Sequence, residues 1–257
     1  MVASSTLLLA ALVGFVAATV CVIVGWQLHR RAGSTPETQR AIGFFVAWWH
    51  ATAANIYVGS LFYAAASFGA SNFELQYAYT QLQRVLLATS LWGLLTYLVF
   101  LVSGRLFPRT IGAFYGAHAV FMLYTITAAR PDGLYLGAWR TDLTYAVDTP
   151  AAWSLVTFTG IVLPPVLLSV AYFVAIFRMP RAETEPRYRA ALVSTSLVAW
   201  WILAVVAGQR SSFDLDGIQI ANRLVTLGAA LVILMAYRPP EWIRRRIQTE
   251  APTIATA

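Results

Sequence analysis

The chain has 257 residues, of which 59% are hydrophobic and only 11% charged, with a net charge of +7 and a mean hydropathy of +0.65. Soluble domains carry about 25% charged residues to cover their surface, so this composition excludes a water-soluble globular protein and implies an integral membrane protein. The excess positive charge is a topology signal rather than a nucleic-acid footprint, because of where it falls along the chain.

Seven apolar runs, at about 4–28, 41–67, 75–103, 110–129, 153–177, 190–208 and 217–237, approach or exceed the roughly 20 residues that cross a bilayer. They are continuous rather than alternating every second residue, which selects helices over a barrel. The expected fold is an all-α, seven-transmembrane-helix bundle over residues 1–240, with a short basic tail over 241–257. All eighteen basic residues are arginine, and thirteen of them fall in the loops after spans one, three, five and seven. The positive-inside rule then puts the N-terminus outside and the C-terminus in the cytoplasm of a multi-pass inner-membrane protein. The arginine-rich tail suits anionic lipid headgroups, with no role for nucleic acid.

In chain order, the first run, MVASSTLLLAALVGFVAATVCV, lacks the positive start of a signal peptide and is too long for one, so it reads as an uncleaved helix. Cys21 is the single cysteine, expected as a packed apolar side chain. Ser34, Thr35 and Pro36 begin span two. In that span Trp48, Thr52, Asn55 and Gly59 recur at helical spacing and form a small, polar face expected to point inward.

Span three, ELQYAYTQLQRVLLATSLWGLL, carries Arg84 about ten residues in from its outer end, roughly 15 Å deep. A charge at that depth costs about 3 kcal/mol unless it faces a protein interior or water. Tyr77, Gln81 and Arg84 share its face. Span four holds GAFYG, whose Gly112 and Gly116 have the small-xxx-small spacing of a close helix contact. The loop from Pro131 to Ala152 is rich in Tyr, Trp, Thr and Val, which suits a short hairpin or an interfacial flap.

Pro164 and Pro165 should kink or unwind span five. In span seven, Asp216, Gln219, Arg223 and Thr226 share a face, with Asn222 beside it. The sequence YRPPEWIRRR stops that helix and begins an interfacial one.

The leading site is Arg84 with Arg223. Arg223 lies about seven residues, roughly 10 Å, past Asp216, so both arginines fall in the outer half. They are expected to converge in an outward-opening cavity between spans two, three and seven, where two guanidiniums would bind a carboxylate or phosphate. Gln81, Tyr77, Asn55, Gln219, Asn222 and Asp216 would complete it. The alternative is that Asp214, Asp216 or Glu74 neutralises each arginine and the pairs hold the bundle together. A second pair, His50 and His118, falls at similar depth on spans two and four and could ligate a haem iron or a metal, or respond to protons.

No nucleophile elbow, HExxH, P-loop or pair of buried carboxylates is present, so nothing marks an enzyme. Seven helices with an outer N-terminus resemble the layout of microbial opsins, a family that holds retinal through a Schiff-base lysine in its last helix. This chain has no lysine, and Arg223 falls about where that lysine would stand. Arginine stays protonated and cannot form the linkage, so covalent retinal is excluded and no cofactor is expected.

LQ and LWGLLTYLVF in span three, TEPRYR before span six and PPEWIRR after span seven together resemble the seven-helix sensor region at the N-termini of some prokaryotic histidine kinases. That family continues into a cytoplasmic output domain, whereas this chain stops about 17 residues after Pro240. The resemblance therefore implies a sensor that signals through a separate cytoplasmic protein. The expected function is a receptor-like module for a small polar or anionic ligand, with a solute transporter or a bis-histidine redox protein as alternatives.

Overall fold

The computed structural model describes residues 5–30, 35–70, 72–129, 131–145, 158–179, 184–208 and 217–249. Its helices are α1 (Ser5–His29), α2 (Pro36–Ser67), α3 (Phe73–Ser103), α4 (Pro108–Ala129), α5 (Leu163–Ala175), α6 (Thr184–Gly208), α7 (Ile218–Tyr237) and α8 (Glu241–Thr249). Two strands, β1 (Pro131–Leu136) and β2 (Thr141–Tyr145), lie between α4 and α5. Among the described residues, four helical stretches are long and apolar enough to cross a membrane: Ser5–His29, Phe73–Ser103, Phe158–Arg178 and Ile220–Tyr237.

The helix starts follow local chemistry. Thr35 caps α2 by accepting from the Thr38 amide, with Pro36 in the first turn, and Asn72 caps α3 by accepting from the Leu75 amide at 2.8 Å. At its far end α3 closes on Gly104, whose φ of 70° is left-handed and open to glycine without strain. The chain then turns at once into α4.

The two prolines of span five do unwind the helix. A π-helical turn, Phe158–Val162, precedes α5, and Pro164 and Pro165 fall in the first turn of α5. Prolines cannot donate to the preceding carbonyls, so the wider turn accommodates the break.

Around the bundle, α1 packs on α2, α2 on α3, α3 on both α4 and α5, α5 on α6, α6 on α7, and α7 back on α1. The largest fully buried side chains are Trp48, Trp49, Trp201, Tyr115 and Phe45. Phe45 stacks on Tyr97 at 4.3 Å, and Trp48 meets Trp200 edge-on at 5.9 Å. Gly93 lets α3 meet the α2 backbone, since a Cβ there would stand 2.6 Å from the Phe44 carbonyl oxygen. Of the inward face expected for span two, Trp48, Thr52 and Gly59 are buried and Asn55 is half-buried, and Thr52 hydrogen-bonds Ser90 of α3 at 3.0 Å. Of the two GAFYG glycines, Gly112 lies 3.1 Å from the Trp92 indole nitrogen by its Cβ position, while Gly116 faces open space.

The two ends of the bundle are built differently. At the arginine-rich end, the Tyr97 and Tyr237 hydroxyls hydrogen-bond at 2.6 Å, with the Arg189 guanidinium 5.2 Å over the Tyr237 ring. This contact ties α3, α6 and α7 together. At the other end, β1 and β2 form an antiparallel hairpin with Leu134 opposite Leu143 and a bulge between Pro131 and Gly133. Thr141 donates to Gln76 of α3 at 3.1 Å, and Thr6 of α1 donates to the Ala138 carbonyl. The hairpin thus rests on the ends of α1 and α3; the remainder of that loop, 146–152, lies outside the described residues.

Candidate functional site

Arg223 sits where four helices meet. Its Nη1 donates to the Ala10 carbonyl of α1 at 2.5 Å, and its guanidinium lies 4.4 Å over the ring of Tyr63 on α2. The space exists because two neighbours lack side chains. A Cβ on Gly14 would overlap the Ser60 hydroxyl and stand 2.8 Å from Nη1; one on Gly59 would stand 2.6 Å from the Tyr79 hydroxyl of α3 and 3.5 Å from Nη2. The arginine is buried, and no acid among the described residues pairs with it. It is held instead by a carbonyl and a π face, both of which favour a cation away from water.

Arg84 faces a different neighbour. It is half-buried on α3 and within electrostatic reach of His118 on α4. One and two turns before it, Gln81 donates to the Tyr77 hydroxyl at 2.9 Å, and that hydroxyl lies 3.4 Å from Thr127 of α4. His118 is buried, parallel to Phe114 at 6.1 Å, and lies against Gly160 of the π-helical turn, where any Cβ would collide with the imidazole. Tyr115 donates to the Gly160 carbonyl at 3.1 Å. Gln81 Oε1 and His118 Nε2 are buried and have no hydrogen-bond partner among the described residues.

The expected convergence of the two guanidiniums is therefore corrected: Arg223 turns toward α1 and α2, and Arg84 toward α4. The cause is rotational. Tyr77 meets Thr127 of α4 and is tied to Gln81, and Arg84 is within electrostatic reach of His118, whereas the glycine recess that receives Arg223 lies between α1 and α2. Tyr79, on another side of α3, is the residue of that helix that reaches Gly59.

The remaining expected members scatter. Asn55 and Asn222 are half-buried, each with a buried side-chain oxygen that has no partner among the described residues. The Asn222 backbone carbonyl accepts from Thr226, whose hydroxyl accepts from Trp200. Gln219 lies in the first turn of α7 with its side chain outside the described set, and Asp216 and Asp214 are outside the described residues. Among the described residues, one cleft opens at the arginine-rich end, lined by Arg40, Phe44 and Trp92.

His50 and His118 are not brought together either. His50 is exposed, against Gly25 of α1, whereas His118 is buried against the π-helical turn. No group of three or more His, Cys, Asp or Glu among the described residues is placed to hold a metal ion.

Ala10, Gly14, Ser60, Tyr63 and Tyr79, which build the Arg223 site, were not singled out by sequence reasoning. Their one signal is the spacing of small residues Ala10 and Gly14 along a face of span one.

The helix arrangement has a counterpart among solved structures. The bundle is similar to that of squid rhodopsin. The crystal structure of that protein superposes with a TM-score of 0.52 over 98% of this chain and 91% of the other, at 11% sequence identity. At that identity the rhodopsin-like likeness concerns the fold. Together with the four apolar helices it makes this chain a membrane protein. No protein-family model matches the chain, and no curated protein matches it.

Proposed function

We propose that the chain is a receptor-like module of the cell membrane, with seven spanning helices, the N-terminus outside and the arginine-rich end in the cytoplasm. It responds to a small polar or anionic ligand bound in its outer half. Arg84, Gln81 and Tyr77 form the ligand face, and Arg223 fixes the helices around it. The observation that carries the reading is the pair of buried polar atoms, Gln81 Oε1 and His118 Nε2, on the face that Arg84 occupies. Buried polar atoms are nearly always satisfied, and a ligand carboxylate or phosphate bearing one hydroxyl supplies both an acceptor for the guanidinium and a donor for Gln81.

The hairpin across α1 and α3 would restrict access from outside. A separate cytoplasmic protein would read the state of the bundle, as the resemblance to kinase sensor regions implies. Solute transport is the rival, favoured by the π-helical break before Pro164 and Pro165.

Thermal melts in detergent against a panel of carboxylates and phosphates test the assignment. Ligand binding to the folded state alone raises stability by mass action. Wild type and Arg223→Gln should both respond to the same compound, and Arg84→Gln should not. A panel that shifts neither wild type nor Arg223→Gln would overturn the site. Uptake of the active compound into protein-containing vesicles would favour transport.

A further inference from the structure

At the arginine-rich end, far from the ligand face, the α2 start, the α3–α4 turn and Trp92 of α3 surround a cleft of about 620 Å³, within the roughly 300–1,000 Å³ of small-molecule sites. We propose that this cleft is a binding site for an anionic phospholipid, with one acyl chain in the trough and the headgroup on an arginine rim. The proposal rests on the membrane-spanning reading, but not on the identity of the outer ligand.

The trough is apolar. Phe44 and Trp92 meet edge-on at 5.4 Å to form its wall, and the one polar atom of that wall is already used, because the Trp92 indole donates to the Pro108 carbonyl at 2.9 Å. A polar solute would find no donor there; a hydrocarbon chain would lose none. Gly43 lines the same trough, and a Cβ built on it meets nothing within 4 Å, so no side chain among the described residues fills the space.

The rim is charged. Arg40 lines the cleft, and exposed Arg105 and Arg109 flank its lining residues Leu106 and Pro108, against the single acid Glu37. The left-handed Gly104 ends α3 and carries the chain directly into this turn, in which Arg105 and Arg109 are exposed next in sequence to the lining residues. From Arg40 to Ala47 the lining descends seven residues along α2, roughly 10 Å from charge to hydrocarbon. A cationic rim at the helix ends over an apolar trough running toward the bilayer centre matches an amphiphile with a negative head. The anionic phospholipid is the amphiphile of that description that the membrane itself presents at that depth.

Trp92 supplies the readout. The full-length protein is reconstituted in symmetric phosphatidylcholine vesicles, which removes any dependence on orientation. The vesicles contain acyl-brominated phosphatidylglycerol or acyl-brominated phosphatidylcholine as quencher, and the Trp92 contribution is obtained by difference from Trp92→Phe, since the chain has nine tryptophans. The anionic quencher should act at a several-fold lower mole fraction than the zwitterionic one. Arg40→Gln should weaken that preference about fivefold, the effect of one arginine near an anionic surface, and Glu37→Gln should strengthen it. Gly43→Leu, which fills open space, should remove Trp92 quenching by both lipids and leave the thermal melt unchanged.

Equal quenching by the two lipids, which is the behaviour of unselective boundary lipid, would overturn the proposal. So would an anionic preference that survives Gly43→Leu or is indifferent to Arg40→Gln. Flotation of the same samples separates the two failures: protein that floats with the vesicles without a preference overturns the site alone, and protein that does not float overturns the membrane-spanning reading beneath it.

Discussion

Arg223 and Arg84 are two arginines on apolar helices, and the bundle treats them in opposite ways. Around Arg223 four helices close in, glycines at 14 and 59 make room, and a helix carbonyl and a tyrosine face take up the guanidinium. Around Arg84 the neighbours are polar side chains, Gln81, Tyr77 and His118, on a half-buried face beside α4. A charge clamped by backbone and close packing is a structural fastening, because any movement must disturb several helices together. A charge beside polar side chains on a half-buried face can be removed with less disturbance to the packing of the helices.

The contrast is broken most severely at the recess. Gly14→Val puts a branched side chain where the Ser60 hydroxyl and Arg223 Nη1 stand, and overpacking of this kind should cost about 3 kcal/mol in a denaturant or thermal titration. Adding Ser60→Ala should recover part of the loss, a coupling of at least about 0.5 kcal/mol between touching residues. Additive effects would show that the recess relaxes without cost.

Arg223→Gln comes next. Loss of a charged hydrogen bond to the Ala10 carbonyl should destabilise the fold by about 2 kcal/mol while the response to the outer ligand persists. Smallest in stability and largest in function is Arg84→Gln, with a change of about 0.5 kcal/mol, as for substitutions outside tightly packed sites, and complete loss of the ligand-dependent shift. Equal destabilisation by Arg84→Gln and Arg223→Gln would erase the distinction and make both arginines fastenings.

Much of the architecture was legible along the chain. Several apolar runs matched described helices closely, α3 expected over 75–103 and spanning Phe73–Ser103, α7 over 217–237 and spanning Ile218–Tyr237, whereas α2 and α6 begin at Pro36 and Thr184, ahead of the runs expected from 41 and 190. Pro164 and Pro165 marked the break before α5, and the Tyr, Trp, Thr and Val content of the loop after Pro131 suited the hairpin. These features are local, governed by the residue's own backbone and its immediate neighbours. The site was less legible. Asn55, Arg84 and Arg223 were recognised as polar groups that must avoid lipid, yet nothing in their spacing said which neighbouring helix each would face.

The sequence by itself determined a membrane protein of apolar helices, where several of those helices start and stop, and which faces carry polarity, because hydropathy, capping and proline effects act over one or two turns. Only the tertiary structure decided that Arg223 and Arg84 part company, that His50 and His118 lie at different interfaces, and that the hairpin rests on α1 and α3. Those outcomes depend on how each helix is rotated about its axis. That rotation is fixed by where small residues on other helices, such as Gly14 and Gly160, leave room for a large side chain to enter.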